Sequence, residues 1–268
     1  GNRFAYSMAL AILRRELLET GVAPDRVAAM DRLARIDADT LGGPRVVAEL
    51  LRRIPVSLSP EELQERYQIA DFDVIYERYL GAVSPMHRPR WISLRGPLLF
   101  GLAESERARR FAQAIESENY ALAGRLMNVG HDGDRVVDAA GNPFRRDVDD
   151  AALDAIAQND LPLALWPGDY GASSPVLDAL VDAAISAGAL GASLTGAGIA
   201  GAVLALCRTE NADTIAKNMR RIMATERYAA LAGRDVPLDA EELAEAVVMN
   251  TAPECAGELR INDVQGDP

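Results

Sequence analysis

The chain has 268 residues, 49% of them hydrophobic and 25% charged, which is the composition of a globular protein with a substantial core. Its formal net charge of −12 repels polyanions, and its basic residues alternate with acidic ones instead of forming a patch, so nucleic acid is not an expected partner. The longest apolar run is about eleven residues, well short of the roughly 20 that a membrane span needs. Two cysteines are too few for a disulfide framework or a zinc site, and the expected location is the cytoplasm.

The first third of the chain has the spacing of amphipathic helices. Phe4, Met8 and Ile12 form one apolar stripe of an N-terminal helix. Helices are predicted over residues 3–20, 25–41, 45–54 and 60–67. Ser59 precedes the last of them as the N-cap of a capping box. The sequence therefore predicts a mainly helical segment over residues 1–102.

The remainder of the chain alternates helices with turn-rich stretches. Glycine and proline punctuate residues 129–171, which are predicted to be mostly loop around one short helix. Another helix is expected around Ile215, where apolar residues recur at helical spacing. The other helices are predicted over residues 104–117, 120–128, 149–158, 175–187 and 240–248.

Residues 191–207 contain the most informative pattern. They are typical of a strand, a glycine-rich turn with Gly196 and Gly198, and a second, wholly apolar strand. Such a turn lets the backbone approach a ligand closely, and its successive N–H groups can form a nest for an anion such as phosphate. The sequence has neither the Lys and Ser/Thr of a Walker A loop nor the Rossmann order of strand, glycines and helix. Helices on either side of a hairpin predict an α+β fold, in which helices cover one face of an antiparallel sheet.

Several segments together resemble the GHMP superfamily of small-molecule kinases. Residues 191–206 are similar to the third motif of these enzymes, a glycine-alanine pair, a Thr and further glycines before an apolar strand. Residues 124–127 with His131 are similar to a galactokinase segment of glycine, Leu-Met and His, and residues 170–180 to one with Ser, Leu-Asp and Leu. The helical N-terminal part is similar to arabinokinases. The resemblance implies the C-terminal portion of a galactokinase-like or arabinokinase-like enzyme, with residues 103–268 as an α+β domain on a ferredoxin-like core.

The chain departs from this family pattern in three places. Ile199 and Ala200 stand where the family usually has further glycines, which adds bulk where the phosphates are expected. Gly130 stands where a Ser normally precedes the His. Residues 132–169 form a longer stretch than in galactokinases, and a lid, a partner surface and a tolerated insertion are all open interpretations of it.

The resemblance implies transfer of the γ-phosphoryl group of ATP to a hydroxyl of a sugar such as galactose or arabinose. ATP and Mg²⁺ would be held mainly by an N-terminal half whose phosphate loop and catalytic Asp are not found in this sequence. Because the chain begins at Gly1 and its first Met is Met8, we expect an upstream segment to be missing and this chain alone to be inactive. The N-terminal helix is expected to pack through Phe4, Met8 and Ile12 onto a surface that the missing half would normally extend. Without that half, an apolar patch should be left exposed, favouring a homo-oligomer or association with the N-terminal half.

The resemblance also implies which residues lie near the ligands. Those near the nucleotide phosphates are Thr195, Gly196, Ala197, Gly198 and Gly201. Those near the sugar are Arg3, His131, Asp169 and Tyr170, and no metal ligand is predicted. Structural roles are the alternative, since His131 could fill a polar niche and Asp169 and Tyr170 could simply precede a capped helix.

Two other functions stay open at this point. A regulatory relative would sense sugar without catalysis, an alternative that Ile199 and Ala200 favour and that ATP turnover by the full-length protein would exclude. A helical interaction module would use the glycine turn only structurally, and nucleotide-dependent thermal stabilisation would argue against it.

Overall fold

The structure is a computed structural model and describes residues 2–36, 38–159, 161–196 and 201–249. The chain divides into two compact units, Gly1–Cys207 and Arg208–Pro268. The helices of the first unit are α1 (Asn2–Glu19), α2 (Pro24–Ala29), α3 (Ala38–Leu41), α4 (Pro44–Arg53), α5 (Pro60–Tyr67), α6 (Phe72–Leu80), α7 (Arg95–Glu116), α8 (Tyr120–Asp134), α9 (Asp150–Gln158) and α10 (Pro175–Ser186). Its strands are β1 (Ser57–Leu58), β2 (Ile92–Ser93), β3 (Gly191–Thr195) and β4 (Ala202–Leu206). The helix-rich α+β class predicted from the sequence is confirmed.

Helix α1 lies in the main hydrophobic core of the first unit, among α2, α4, α6 and α7. Phe4, Met8 and Ile12 on its apolar stripe are at most 1% exposed. The ring of Phe4 packs edge-on against Phe72 and Tyr76 of α6, with centroids 5.8 and 5.6 Å apart. The stripe is therefore packed, as predicted, and a helix of the same chain supplies part of the surface that covers it. The exposed apolar patch and the self-association stay predictions.

The single helix predicted over residues 25–41 is also wrong. The structure has α2, a 3₁₀ turn at Leu33–Arg35 and α3 in its place. The apolar residues here recur every third position, and each step of three moves back by about 60° around a helix of 3.6 residues per turn. In one continuous helix, Val27 and Ile36 would lie on opposite sides. The break after α2 allows both to be buried, at 2% and 0% exposure.

Helices α7 and α8 are longer than predicted. Helix α7 begins at Arg95, because Pro97 falls in its first turn, where a missing N–H removes no helical hydrogen bond. Helix α8 continues to Asp134, so the first residues of the predicted loop over 129–171 are helical. Its glycines weaken the helix locally, but packing against α7 and β3 outweighs that propensity. The helix predicted over residues 149–158 is confirmed as α9, and the capping box at Ser59 is confirmed in α5.

The hairpin predicted from the glycine-rich segment is confirmed. Strands β3 and β4 pair in antiparallel register from Gly191 opposite Leu206 to Thr195 opposite Ala202. A second small sheet, formed by β1 and β2, was not expected from the sequence, since each strand has only two residues. Its pairing of Leu58 with Ile92 joins segments far apart in the chain.

Helix α8 approaches β3 unusually closely. A Cβ added at Gly124 would overlap the carbonyl oxygen of Leu190, and one added at Gly191 would overlap the backbone of Gly124. The side chain of Asn128 then bonds to the same strand: its Oδ1 accepts from the N–H of Ala192 at 3.0 Å. Two glycines and one amide thus join the helix to the hairpin.

The second unit, as described to residue 249, contains α11 (Thr209–Met223), α12 (Glu226–Leu231) and α13 (Ala240–Ala246). The Arg220 guanidinium of α11 donates to the carbonyl oxygens of Leu243 and Val247, at 3.3 and 2.9 Å. These bonds occupy carbonyl groups at the C-terminal end of α13, which have no partner within the helix.

The predicted division of the chain into residues 1–102 and 103–268 falls inside helix α7. That division stays a prediction about domains, distinct from the two compact units of the structure. Among the described helices, none combines the length and hydropathy of a membrane span.

The contact between α8 and β3 gives a stability prediction. Gly124→Ala places a methyl group against the backbone of β3, and we expect it to lower the free energy of unfolding by about 1–3 kcal/mol through overpacking. Gly130→Ala, in the same helix, is the matched control, because its new Cβ would have no neighbour closer than 3.4 Å. This control should be neutral or stabilising by up to about 1 kcal/mol. Denaturant unfolding measures both, and equal stabilities of the two variants would show that the close contact is absent.

Candidate functional site

Residues 167–171, which include Asp169 and Tyr170, form a segment that contacts both helix α7 and helix α8. The backbone N–H of Asp169 donates to the carbonyl of Gly96 in α7 at 3.2 Å, and the N–H of Tyr170 donates to that of Gly133 in α8 at 2.7 Å. Gly96 has no room for a side chain, since a Cβ there would lie 2.7 Å from the carbonyl oxygen of Asp169. These backbone contacts fix the two predicted sugar-proximal residues between two helices.

The ring of Tyr170 is held between two other rings. Tyr6 of α1 stacks on it with centroids 4.7 Å apart, and Phe100 of α7 with centroids 5.0 Å apart and only 9° between the planes. Asn2 of α1 donates from Nδ2 to the carbonyl oxygen of Tyr170 at 3.0 Å. Burial, and then the negative charge of Asp134, raise the pKa of Tyr170, so its hydroxyl stays neutral at physiological pH.

Asp169 and Tyr170 line a pocket of about 170 Å³, called here the Asp169 pocket. The Asp169 carboxylate is 14% exposed and lies 3.6 Å from the Arg145 guanidinium, while its other oxygen accepts weakly from the N–H of Arg146 at 3.4 Å. Because both contacts are long, the carboxylate keeps capacity to accept hydrogen bonds from a ligand. The lining residues are Asn2, Ala5, Pro89, Trp91, Ile92, Ser93, Pro97, Arg145, Asp169 and Tyr170.

Arg3, the third residue predicted near the sugar, is exposed on α1 next to Asn2. It does not line the Asp169 pocket, but its positive charge acts on Tyr170 and partly offsets the upward shift of that pKa. The structure therefore brings Arg3 near Tyr170 without placing it in the pocket.

His131 lies in a different environment. It is 1% exposed near the end of α8, with Nε2 at 3.1 Å from Oδ1 of Asp178, a close contact without the direction of a good hydrogen bond. Burial opposes ionisation of Asp178, but contacts to His131 and Ser173 and the N–H groups of Val136 and Val137 outweigh it and lower its pKa. His131 is thus part of a buried polar cluster that joins α8 to α10, and it does not line the Asp169 pocket.

His131 does line a second space, called here the α8–hairpin cavity, of about 330 Å³. Arg107 at its base is 3% exposed and donates to the carbonyl of Trp166 at 2.8 Å and to the Glu104 carboxylate at 2.7 Å. Burial raises the pKa of Asp134 to about 7, opposed by the N–H of Ala172. The lining residues are Glu104, Arg107, Ala108, Phe111, Leu126, Met127, Gly130, His131, Asp134, Ser193, Leu194 and Leu204.

The residues predicted near the phosphates lie at the end of the hairpin. Thr195 closes β3 and is half-buried, and Gly196 follows it with φ +90°, a conformation that favours glycine. Gly201 leads into β4, while Ala197 and Gly198 are outside the described residues. None of Thr195, Gly196 and Gly201 lines the Asp169 pocket, so the two predicted sets of residues do not share that space.

Sequence reasoning missed Trp91, Arg145 and Asn2 as pocket residues. Asn2 and Tyr170 are 168 residues apart in the chain, a contact that no local pattern indicates. For Trp91 the sequence held a weak signal. Ile92 is an apolar residue of the kind that short strands bury, so a large aromatic residue directly before it is a candidate for the surface beside that strand.

Comparison with known proteins finds a family that part of the chain resembles. Residues 149–225 match the family model described as GHMP kinases C terminal. The matched segment is therefore similar to the C-terminal part of GHMP kinases, in agreement with the motif resemblance. Its curated relatives include galactokinases of Mycobacterium tuberculosis and Mycobacterium bovis, each 27% identical over 127 residues, which is 47% of this chain. The match spans only 26% of the length of those relatives.

The fit of the Mg²⁺ that accompanies ATP in such kinases can be tested on the described side chains. Within the described ranges, no group of three or more His, Cys, Asp or Glu side chains could hold a metal ion. The described side chains therefore form no metal cage of three or more such ligands, whereas Mg²⁺ beside a nucleotide needs only one or two carboxylates together with phosphates and water.

The raised pKa of Asp134 gives a second prediction. The folded protein keeps this proton up to a pKa of about 7, whereas the unfolded chain loses it near the ordinary value of 3.8. Stability contributed by the protonated group is therefore lost as the pH rises through this interval. Relative to Asp134→Asn, we expect the wild type to lose about 2 kcal/mol of unfolding free energy between pH 5 and 8.

Chemical denaturation at the two pH values measures this effect. The control is Asp147→Asn, which removes an exposed carboxylate and should follow the wild type. Parallel pH profiles for the wild type and Asp134→Asn would show that Asp134 does not titrate in this range.

Proposed function

We propose that the protein acts in an ATP-dependent sugar kinase, which transfers the γ-phosphoryl group of ATP to a hydroxyl of a galactose-like or arabinose-like sugar. The family match over residues 149–225 and the relatives named galactokinase support the reaction class. The observation that carries the sugar side of the proposal is the Asp169 pocket, because it contains the two residues, Asp169 and Tyr170, that the motif resemblance independently assigns to the sugar.

The pocket has the chemistry that a sugar hydroxyl needs. In this proposal the Asp169 carboxylate accepts a hydrogen bond from a sugar O–H, and such bonds to a charged group are stronger than neutral ones. The neutral Tyr170 hydroxyl can donate or accept. Because its ring is clamped between Tyr6 and Phe100, little conformational freedom is left to lose on binding.

Phosphoryl transfer demands mainly positioning and charge stabilisation. When bound, MgATP supplies the phosphoryl group and the charge that stabilises its transfer. We assign ATP and Mg²⁺ mainly to an N-terminal half of the family type, as the motif resemblance implies. The role left to this chain is to orient the sugar with Asp169 and Tyr170, and to present the hairpin end at Thr195, Gly196 and Gly201 to phosphate groups.

A non-catalytic, sugar-sensing protein is the second candidate. Ile199 and Ala200 favour it, because they replace glycines that the family uses beside the phosphates. Localisation in the cytoplasm belongs to both proposals, since sugar kinases and their regulatory relatives act on intracellular sugars and ATP.

The test of the proposed function uses the full product of the reading frame that encodes this chain. Turnover of ATP in the presence of galactose or arabinose should yield a phosphorylated sugar, detected by ³¹P NMR. Asp169→Asn should lower kcat/KM by about 10-fold to 100-fold, the equivalent of one hydrogen bond to a charged group. The exposed Asp147→Asn is the control and should keep wild-type kinetics.

The outcomes separate the two candidates. Sugar binding without any phosphorylated product would favour the sensing protein over the kinase. Wild-type turnover by Asp169→Asn would remove the Asp169 pocket as the sugar site, whatever the reaction.

A further inference from the structure

We propose that Trp91 is a stacking platform for the sugar ring, and that the Asp169 pocket accepts a single neutral monosaccharide through this indole face together with Asp169 and Arg145. The identity of the ligand as the kinase substrate rests on the proposed function. The binding claim itself concerns only the described pocket.

The exposure of Trp91 is the first observation. Of the two Trp residues, Trp166 is fully buried, whereas Trp91 is 62% exposed and lines the Asp169 pocket. Trp is highly buried on average, and an exposed indole that lines a pocket offers an apolar face to a ligand in that pocket.

The second observation is that the backbone beside Trp91 is anchored. Ile92 in β2 pairs with Leu58 in β1 and is 2% exposed. Trp91 directly precedes this paired strand, and Trp91, Ile92 and Ser93 all line the pocket. The pairing of β2 with β1 therefore fixes the backbone next to the exposed indole.

The charges of the pocket select a neutral ligand. Asp169 and Arg145 lie 3.6 Å apart and compensate each other, so neither a cation nor an anion gains a net attraction. A polyol suits such a pair, since its hydroxyls donate to the carboxylate and accept from the guanidinium. Its C–H face can then cover the apolar indole, as aromatic side chains in binding sites do.

The size of the pocket favours one sugar ring. A volume of about 170 Å³ lies below the roughly 300–1,000 Å³ of pockets that take drug-sized ligands. A single sugar ring therefore suits the pocket better than a nucleotide does. A folded partner is disfavoured too, because the polar groups lie inside a concave pocket.

Intrinsic fluorescence tests the inference, because the two Trp residues differ so strongly in exposure. In the full chain, acrylamide should quench Trp91 and leave Trp166 largely unaffected. Addition of D-galactose or L-arabinose should protect Trp91 from quenching, whereas glycerol, a polyol without a ring, should not. Trp91→Phe should remove the protectable signal while it keeps an aromatic surface and sugar binding.

Calorimetry measures the affinity of the same sugars for the variants. Trp91→Ala should weaken binding by about 10-fold, within the range for loss of an aromatic contact and its buried area. Trp91→Phe should weaken it less. The control is Tyr120→Ala, which removes another exposed aromatic residue, 44% exposed at the start of α8, and should bind sugar as the wild type does. Thermal melting of each variant identifies any loss of fold.

The failure of this inference and that of the proposed function give different results. If sugar binds but neither protects Trp91 nor loses affinity in Trp91→Ala, the platform is wrong even where the enzyme phosphorylates sugar. If sugar protects Trp91 but no phosphorylated product forms, the platform is right and the kinase proposal fails. Absence of any sugar binding would overturn the inference and show that the pocket takes no sugar. Protection of Trp91 that depends only on protein concentration would also overturn it, because a second copy of the chain would then cover the indole.

Discussion

The close fit of helix α8 against β3 is the contact on which the arrangement of both candidate regions depends. At Gly124 the helix touches the strand with no space for a side chain. About 14 Å further along the axis of the same helix, the carbonyl of Gly133 accepts the N–H groups of Tyr170 and Gly171. An α-helix of this length is stiff, so one element sets the positions of the hairpin and of the Asp169 pocket. A change that moves α8 away from β3 would therefore also disturb Tyr170.

Two buried carboxylates near the end of α8 show how local donors determine charge in this core. Burial opposes ionisation of Asp178, but its contacts with His131 and Ser173 and two backbone N–H bonds of 2.9 Å outweigh burial and lower its pKa. Asp134 accepts one N–H, from Ala172, at 3.4 Å, and burial raises its pKa to about 7. Both side chains are buried. The number and kind of polar partners therefore decide which of the two buried carboxyl groups keeps its proton.

The sequence predicted those features that depend on neighbours in the chain. Capped helices such as α5, and the hairpin of β3 and β4, follow from residues a few positions apart. Asp169 and Tyr170 were assigned through motif resemblance, and the structure does place them together in one pocket. Arg145 and Asn2 could not be predicted there, because their positions depend on contacts across the whole unit. The helix that covers Phe4 could not be predicted for the same reason, since it lies about 70 residues away in the chain.

The acidic character of the chain affects its two proposed ligands, ATP and a sugar, in different ways. A net charge of −12 disfavours the approach of a polyanion such as ATP, so phosphate binding must rely on short-range groups such as backbone N–H nests or on positive charge outside this chain. A neutral sugar is neither attracted nor repelled by the net negative charge of the chain. The compensated pair of Asp169 and Arg145 removes the local charge as well. Under the proposed function, these electrostatics agree with a division in which this chain binds the sugar and the nucleotide is held mainly elsewhere, as the motif resemblance implies.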